Sequence, residues 1–222
     1  MDLHEARPEP VPQNIVGTPG YFGKVRRKPP EILTRDEVRT ILRAIPDKNR
    51  RDRAIILMLY HHAMRASEIC DMSWSNYDIA SGRLTWWRRK QNDWMRHHIH
   101  REAEYALSQY RSLRRWDSRD RRQPEPDPEE PMFLSQRGEA LTPNGLWRLV
   151  RKWMLKAGIP VSKCHPHTFR HSKATALLKC GADVTMVQRY LGHASPRTTA
   201  ETYLHPDTEG IRQVAERDNL FS

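Results

Sequence analysis

The sequence predicts a mainly helical protein with one small antiparallel β-sheet, an α+β arrangement. Three observations predict it. Apolar residues recur at helical spacing, as at Val38, Ile41 and Leu42. Helix-start signals recur at Thr34, Thr142 and Asp183. The period changes between residues 82 and 100, where GRLTWWRRKQNDWMRHHIH reads as two strands around a turn at Gln91-Asn92-Asp93.

Residues 1–30 are rich in proline and basic groups and poor in apolar periodicity, which predicts a flexible arm ahead of a domain over 31–222. Order begins at Thr34-Arg35-Asp36-Glu37, a capping box in which Thr34 accepts from the third backbone N–H and Glu37 reaches back. Residues 51–62, RDRAIILMLYHH, are apolar nearly all round and predict a buried helix. The pattern over 101–113 is helical. Residues 117–131, DSRDRRQPEPDPEEP, carry too many prolines and charges for helix or strand and predict a surface loop. Thr142-Pro143 starts a helix that runs to Ala157 and stops at Gly158. Another is expected from about Thr168 to Lys179, ending near Gly181. Asp183 caps a short one reaching Leu191, and Ser195-Pro196 opens the next. The last candidate, Thr208 to Arg217, lies in a tail over 208–222.

The chain has 222 residues with 38 Lys plus Arg against 27 Asp plus Glu, a net charge of +11. That excess favours a polyanionic partner, nucleic acid first. Three cysteines without a CxxC argue against a disulfide framework and fit a reduced, cytoplasmic setting. No segment approaches the roughly 20 apolar residues of a membrane span, and MDLHEARPEPVPQN lacks the order of a secretion signal.

The chemistry-bearing residues suit a phosphate. Arg65 follows the buried helix in MRASEIC. His167 and Arg170, three apart in HPHTFRH, share a helical face. His193 sits in LGHAS. An arginine fork matches two phosphate oxygens and stays charged, and arginines with imidazole donors can cradle a phosphate whose charge grows in a transition state. A metal at His167 and His171 with Cys164 is the competing reading, and Arg170 would place a fixed cation beside it.

Arg-x-x-Glu in MRASEIC, His-x-x-Arg-His in HTFRH, Leu-Gly-His and a tyrosine at 203 occur in that order. Together they resemble the tyrosine recombinases, the phage integrases and their relatives, over residues 31–205. The texture of MRASEIC and HPHTFRH looks most like the fimbrial phase-switch recombinases. The resemblance implies that family's DNA breaking-rejoining catalytic fold. It implies site-specific recombination or integration through a 3′-phosphotyrosyl link, with neither metal nor ATP, the covalent bond storing the energy of the broken phosphodiester. By the same resemblance Tyr203 matches the nucleophile, and Arg65 and Arg170 match the phosphate clamp. His167 matches a donor or proton shuttle, and His193 a hydrogen bond to the scissile phosphate. Lys90, at the hairpin turn, matches the general acid. Glu68 matches a buried supporting acid. Ten positions separate His193 from Tyr203 where the family more often has nine. An extra residue in regular helix would rotate the tyrosine by about 100°, so the extra residue is expected in a turn.

His165 and His171 are expected to flank the site, and His97, His98 and His100 to be solvated or near DNA. The hairpin 87–96, where Arg88 and Arg89 could touch phosphates, and the run Arg151–Lys156 are candidate DNA faces. The implied partners are double-stranded DNA, a homotetramer on two DNA sites with the apolar tail (Ile211, Val214, Leu220, Phe221) docking on a neighbour, and accessory DNA-bending proteins. The implied location is the cytoplasm, at the nucleoid. With some 30 residues ahead of the catalytic part, the chain is expected to be a one-domain member or a fragment. The rival readings are a catalytically silent DNA-binding accessory protein and a type IB topoisomerase-like activity.

Overall fold

The computed structural model describes residues 30–89, 91–116 and 126–192. Their order is α1 (Arg35–Ala44), α2 (Arg50–His62), α3 (Ala66–Cys70), β1 (Tyr77–Asp78), β2 (Arg83–Arg88), β3 (Asp93–His98), α4 (Arg101–Trp116), α5 (Pro143–Lys156), α6 (Pro166–Lys179) and α7 (Val184–Leu191). Short 3₁₀ turns lie at Trp74–Asn76 and Val161–Lys163.

The helix starts follow local chemistry. Glu37 N–H donates to Thr34 Oγ1 at 3.1 Å and Thr34 N–H to Glu37 Oε2 at 2.7 Å, which closes the capping box of α1. Thr142 accepts from Gly145 N–H at 3.1 Å ahead of Pro143, and Asp183 Oδ1 from Met186 N–H at 2.7 Å. α6 starts two residues before its expected Thr168, because Pro166 occupies the first helical position, where its missing N–H costs nothing. α4 runs three residues past the expected Leu113, to Trp116. Part of the expected 117–131 loop, residues 117–125, lies outside the described residues. Its end is pinned, since Trp74 N–H donates to Glu130 O and Ser75 N–H to Pro128 O.

α2 is the central rod. Residues Ala54–Leu59 are all buried, α4 and α6 pack on it, and α7 packs on α6. A second, smaller apolar cluster of Ala63, Ala174, Val187 and Leu191 seats α7 over the end of α2. Asp52, buried in α2, accepts from the Trp153 indole N–H at 2.7 Å and pairs with Arg51 at 2.7 Å, so the core carboxylate is compensated. That bond ties α5 to the rod.

The sheet is a three-stranded antiparallel ribbon in the order β1-β2-β3. Its hairpin pairs Arg83 with His98 through to Arg88 with Asp93. The turn therefore closes one residue earlier than the sequence suggested: Asn92, at φ 50°, carries the reversal, and Asp93 is the first rung of β3. Burial alternates along β2, with Leu84, Trp86 and Arg88 inward. An arginine thus stands where the strand pattern calls for an apolar side chain.

Trp153→Phe keeps the ring but deletes the donor to a buried carboxylate. It is expected to cost about 1.5–3 kcal/mol, read as a lower urea midpoint with helical circular dichroism retained; an unchanged midpoint would mean the bond does not hold α5.

Candidate functional site

Arg65 reaches its place through a sharp exit from α2. Ala63 turns the chain in the left-handed region, at φ 52°, a conformation that costs a non-glycine residue roughly 1–2 kcal/mol. Arg65 then stands at the N-terminus of α3. Its backbone N–H donates to Glu68 Oε2 at 2.8 Å, and its Nη1 to Glu68 Oε1 at 2.7 Å. The Arg-x-x-Glu spacing is thus a capping arrangement, with one carboxylate fixing both the backbone and the guanidinium. Arg65 Nη1 also meets Gln91 Oε1, at the hairpin turn, at 3.3 Å.

Glu68 is 5% exposed and serves a second cation. Arg88, 3% exposed, donates from Nε to Glu68 Oε1 at 3.2 Å. Burial by itself would raise the Glu68 pKa. The Arg65 N–H and guanidinium, then the Arg88 charge, outweigh it and hold the carboxyl below its ordinary value. Arg88 Nη1 also donates to the carbonyl oxygen of Gly192. Gly192 sits at φ 57°, and a Cβ there would run into the Arg88 guanidinium. Glycine in Leu-Gly-His therefore meets two needs: a left-handed close to α7 and room for a guanidinium.

Arg170 is buried, not displayed. Its Nη1 donates to Ala63 O at 2.6 Å and its Nη2 to Leu191 O at 2.7 Å. It braces the turn before Arg65 and the end of α7 from one point. His167, one turn earlier on α6, is exposed. Partial desolvation, then Arg170, His165 and Arg65, lower its pKa, with Glu68 opposing. Arg170 bonds Ala63 O, two residues before Arg65, and His167 lies one turn before Arg170 on α6. Lys90, His193 and Tyr203 lie outside the described residues, as does the chain between His193 and Tyr203. Their described neighbours are Arg89 and Gln91 on either side of Lys90, and Gly192 before His193.

Two expectations, on Arg88 and on the histidines, need correction. Arg88 is not a surface phosphate contact; the pleat turns it inward onto Glu68. Arg89 is exposed but paired with Asp71 Oδ2 at 3.1 Å. The histidines after the hairpin are not all solvated. His97 stacks on Tyr190 at 4.3 Å and meets Trp86 edge-on at 4.9 Å, and burial pushes its pKa down to about 4. His100 stacks on His61 at 3.6 Å, and His98 is exposed. As flanking groups, His165 meets Thr168 Oγ1 at 3.1 Å, and burial pushes His171 down to about 4. Sequence reasoning missed Arg88 as a brace. The available signal was β2 alternation, which puts residue 88 on the same face as Leu84 and Trp86.

The thiol of Cys164 donates to the carbonyls of Ile159 and Pro160 at 3.5 and 3.3 Å. Among the described residues, His61, His100 and Glu102 come close enough to share a cation. Their two imidazoles stack with planes 7° apart, which aims their in-plane lone pairs along parallel planes instead of at one centre.

The described residues thus hold Arg65 and Arg88 on one buried carboxylate, with Arg170 bracing the turn just before Arg65. Residues 31–209 match the phage integrase family, and the chain belongs to that family. It is 32% identical over 201 residues to tyrosine recombinase XerA of Pyrococcus furiosus, covering 89% of this chain and 65% of that protein. It is 30% identical over 193 residues to the type 1 fimbriae regulatory protein FimE of Escherichia coli strain K12, covering 86% of this chain and 93% of FimE. The crystal structure of XerA recombinase superposes with a TM-score of 0.71 at 26% identity, over 86% of this chain and 66% of that one. XerH site-specific recombinase bound to difH substrate superposes at 0.67 with 24% identity, over 87% of this chain and 56% of that one, a likeness of fold. The chain thus spans just under two thirds of the XerA relative.

Glu68→Gln leaves Arg88 buried without a counter-charge, at an expected cost of about 3–5 kcal/mol. Glu68→Gln with Arg88→Met is expected to cost less than the sum of the single changes, because both act on one pair. The folded pKa of Glu68 is depressed, so its contribution is present above the ordinary glutamate value and is lost as pH falls through the lowered one. The Tm gap between wild type and Glu68→Gln should therefore shrink below about pH 4. A gap that is constant with pH would contradict the pairing.

Proposed function

We propose that the chain is a site-specific DNA strand transferase whose chemistry runs through a 3′-phosphotyrosyl intermediate. The observation that carries this is that the buried Glu68 holds both Arg65 and Arg88, which reach Gln91 and Gly192, while Arg170 braces Ala63 just before Arg65. Family membership supports it, and Tyr203 lies within the matched residues.

In this reading Arg65 and Arg170 hold the non-bridging oxygens of one DNA phosphate, with His193 adding a hydrogen bond. The Tyr203 phenolic oxygen attacks phosphorus, forming the P–O bond to tyrosine as the bond to the 5′-oxygen breaks. Lys90 gives the leaving oxygen its proton. His167, kept neutral by its lowered pKa, relays the phenol proton. A 5′-hydroxyl from another strand later attacks the phosphotyrosine and releases the enzyme. No net energy input is needed, since one phosphoester replaces another, and the reaction requires neither metal nor ATP. Buried Arg170 serves two ends: it fixes the walls of the pocket and supplies charge to it. A guanidinium has several N–H donors, so holding two carbonyls is compatible with a phosphate contact. The two-site reaction calls for a homotetramer on paired DNA, with DNA-bending proteins as accessory partners, in the cytoplasm at the nucleoid.

Mass spectrometry of a protein–DNA adduct trapped on a nicked suicide substrate in EDTA tests the proposal. Attachment is expected at Tyr203, and Tyr203→Phe should bind DNA without forming the adduct. Arg65→Ala should lower the cleavage rate about 10²–10³-fold. DNA binding with no adduct in wild type would favour an accessory binding protein, and supercoil relaxation without recombinant product a topoisomerase. Because the His167 pKa is lowered, cleavage should hold as pH falls to about 6.5, the ordinary histidine value; a decline setting in above that pH would argue against a neutral relay.

A further inference from the structure

The inward face of the hairpin belongs to the site, while its outward face has no assigned role. Trp87 and Trp94 lie directly opposite each other on β2 and β3. They are 38% and 51% exposed, with ring centroids 5.3 Å apart and planes at 66°. The same face carries Arg83, Thr85, Arg96 and His98. On these two strands it holds no carboxylate and no aliphatic side chain. Asp78 of β1 sits across from Arg83, at the end away from the tryptophans.

The indole pair steadies the ribbon, yet 38% of Trp87 and 51% of Trp94 stay exposed. They offer π surfaces beside fixed positive charge, and that chemistry selects among partners. Tryptophan and arginine also serve protein interfaces, but a face with Arg83 and Arg96 and no carboxylate on its two strands favours an anionic partner. Duplex DNA offers its phosphates but hides its base faces within the stack. An unpaired nucleotide offers both an anion and a bare π face.

Position adds to chemistry. Gln91, at the turn, touches Arg65. Trp94 is three residues along the chain from Gln91, which at full strand extension is no more than roughly 10 Å, and the turn at Asn92 shortens it. That is within about three nucleotides of a phosphate held near Gln91, at ~3.4 Å per nucleotide of duplex strand. Strand transfer would release a severed strand end within that reach. We propose that the Trp87–Trp94 face, with Arg96, is a stacking platform for unpaired DNA next to the cleaved phosphate. The proposal rests on the DNA strand-transfer reading, yet binding to the platform needs no chemistry at Tyr203.

The test uses the whole chain and a fluorescent oligothymidylate of about 12 nucleotides, within the usual site sizes, with binding measured by anisotropy across a salt series. Trp87→Leu and Trp94→Leu are each expected to weaken binding about 5- to 100-fold while leaving the slope of log K against log salt unchanged. Trp94→Phe should restore most of the affinity, because it restores a ring. Arg96→Ala should instead flatten the slope by about 0.7. The same measurements on Tyr203→Phe should match wild type, which separates the platform from the catalytic reading. Melting curves identify any variant that unfolds, and in that case quenching of wild-type indole emission by the oligonucleotide supplies the readout. Leucine variants that fold and bind as wild type would overturn the proposal. So would a duplex of equal length that binds as tightly as the single strand and loses as much affinity on Trp→Leu.

Discussion

Like charges must be brought together here, and one buried carboxylate makes that possible. Arg65 and Arg88 approach the same oxygen of Glu68, at 2.7 and 3.2 Å. Without Glu68, two guanidiniums packed this closely in low dielectric would repel strongly. With it, α3, the hairpin and the end of α7 are locked to one point.

Arg170 solves the same problem with dipoles. It spends hydrogen bonds on the carbonyls of Ala63 and Leu191, groups left over at the ends of α2 and α7. The partial negative charge of two helix C-termini then sits against a full cation. Ala63 tolerates its left-handed backbone because the Arg170 bond and the packing of Val187 and Leu191 over-determine it. The rigid rod of α2 makes this precise, since the turn that launches Arg65 is anchored to the most buried helix in the fold.

The hairpin separates two tasks by pleat. Its inward residues, Trp86, Arg88 and His97, join the core and the site. Its outward residues remain aromatic and basic. Successive rungs of the ribbon point to opposite faces, so neighbouring residues turn to the interior and to solvent in alternation.

The sequence by itself determined the helices, because caps and apolar spacing are local: Thr34, Thr142 and Asp183 acted where their side chains could reach. It also determined the candidate site residues as types in order, through motifs whose resemblance led to the family. It erred where the outcome depended on contacts between distant segments. The inward turn of Arg88 needs Glu68, 20 residues away, and Gly192, 104 residues away. His97 looked solvated until Tyr190 covered it. The bracing of Ala63 and Leu191 by Arg170 was likewise beyond reach of the motif alone. Only the tertiary structure decided these, since the free energy of a charge or an imidazole is set by what surrounds it, and its surroundings come from elsewhere in the chain.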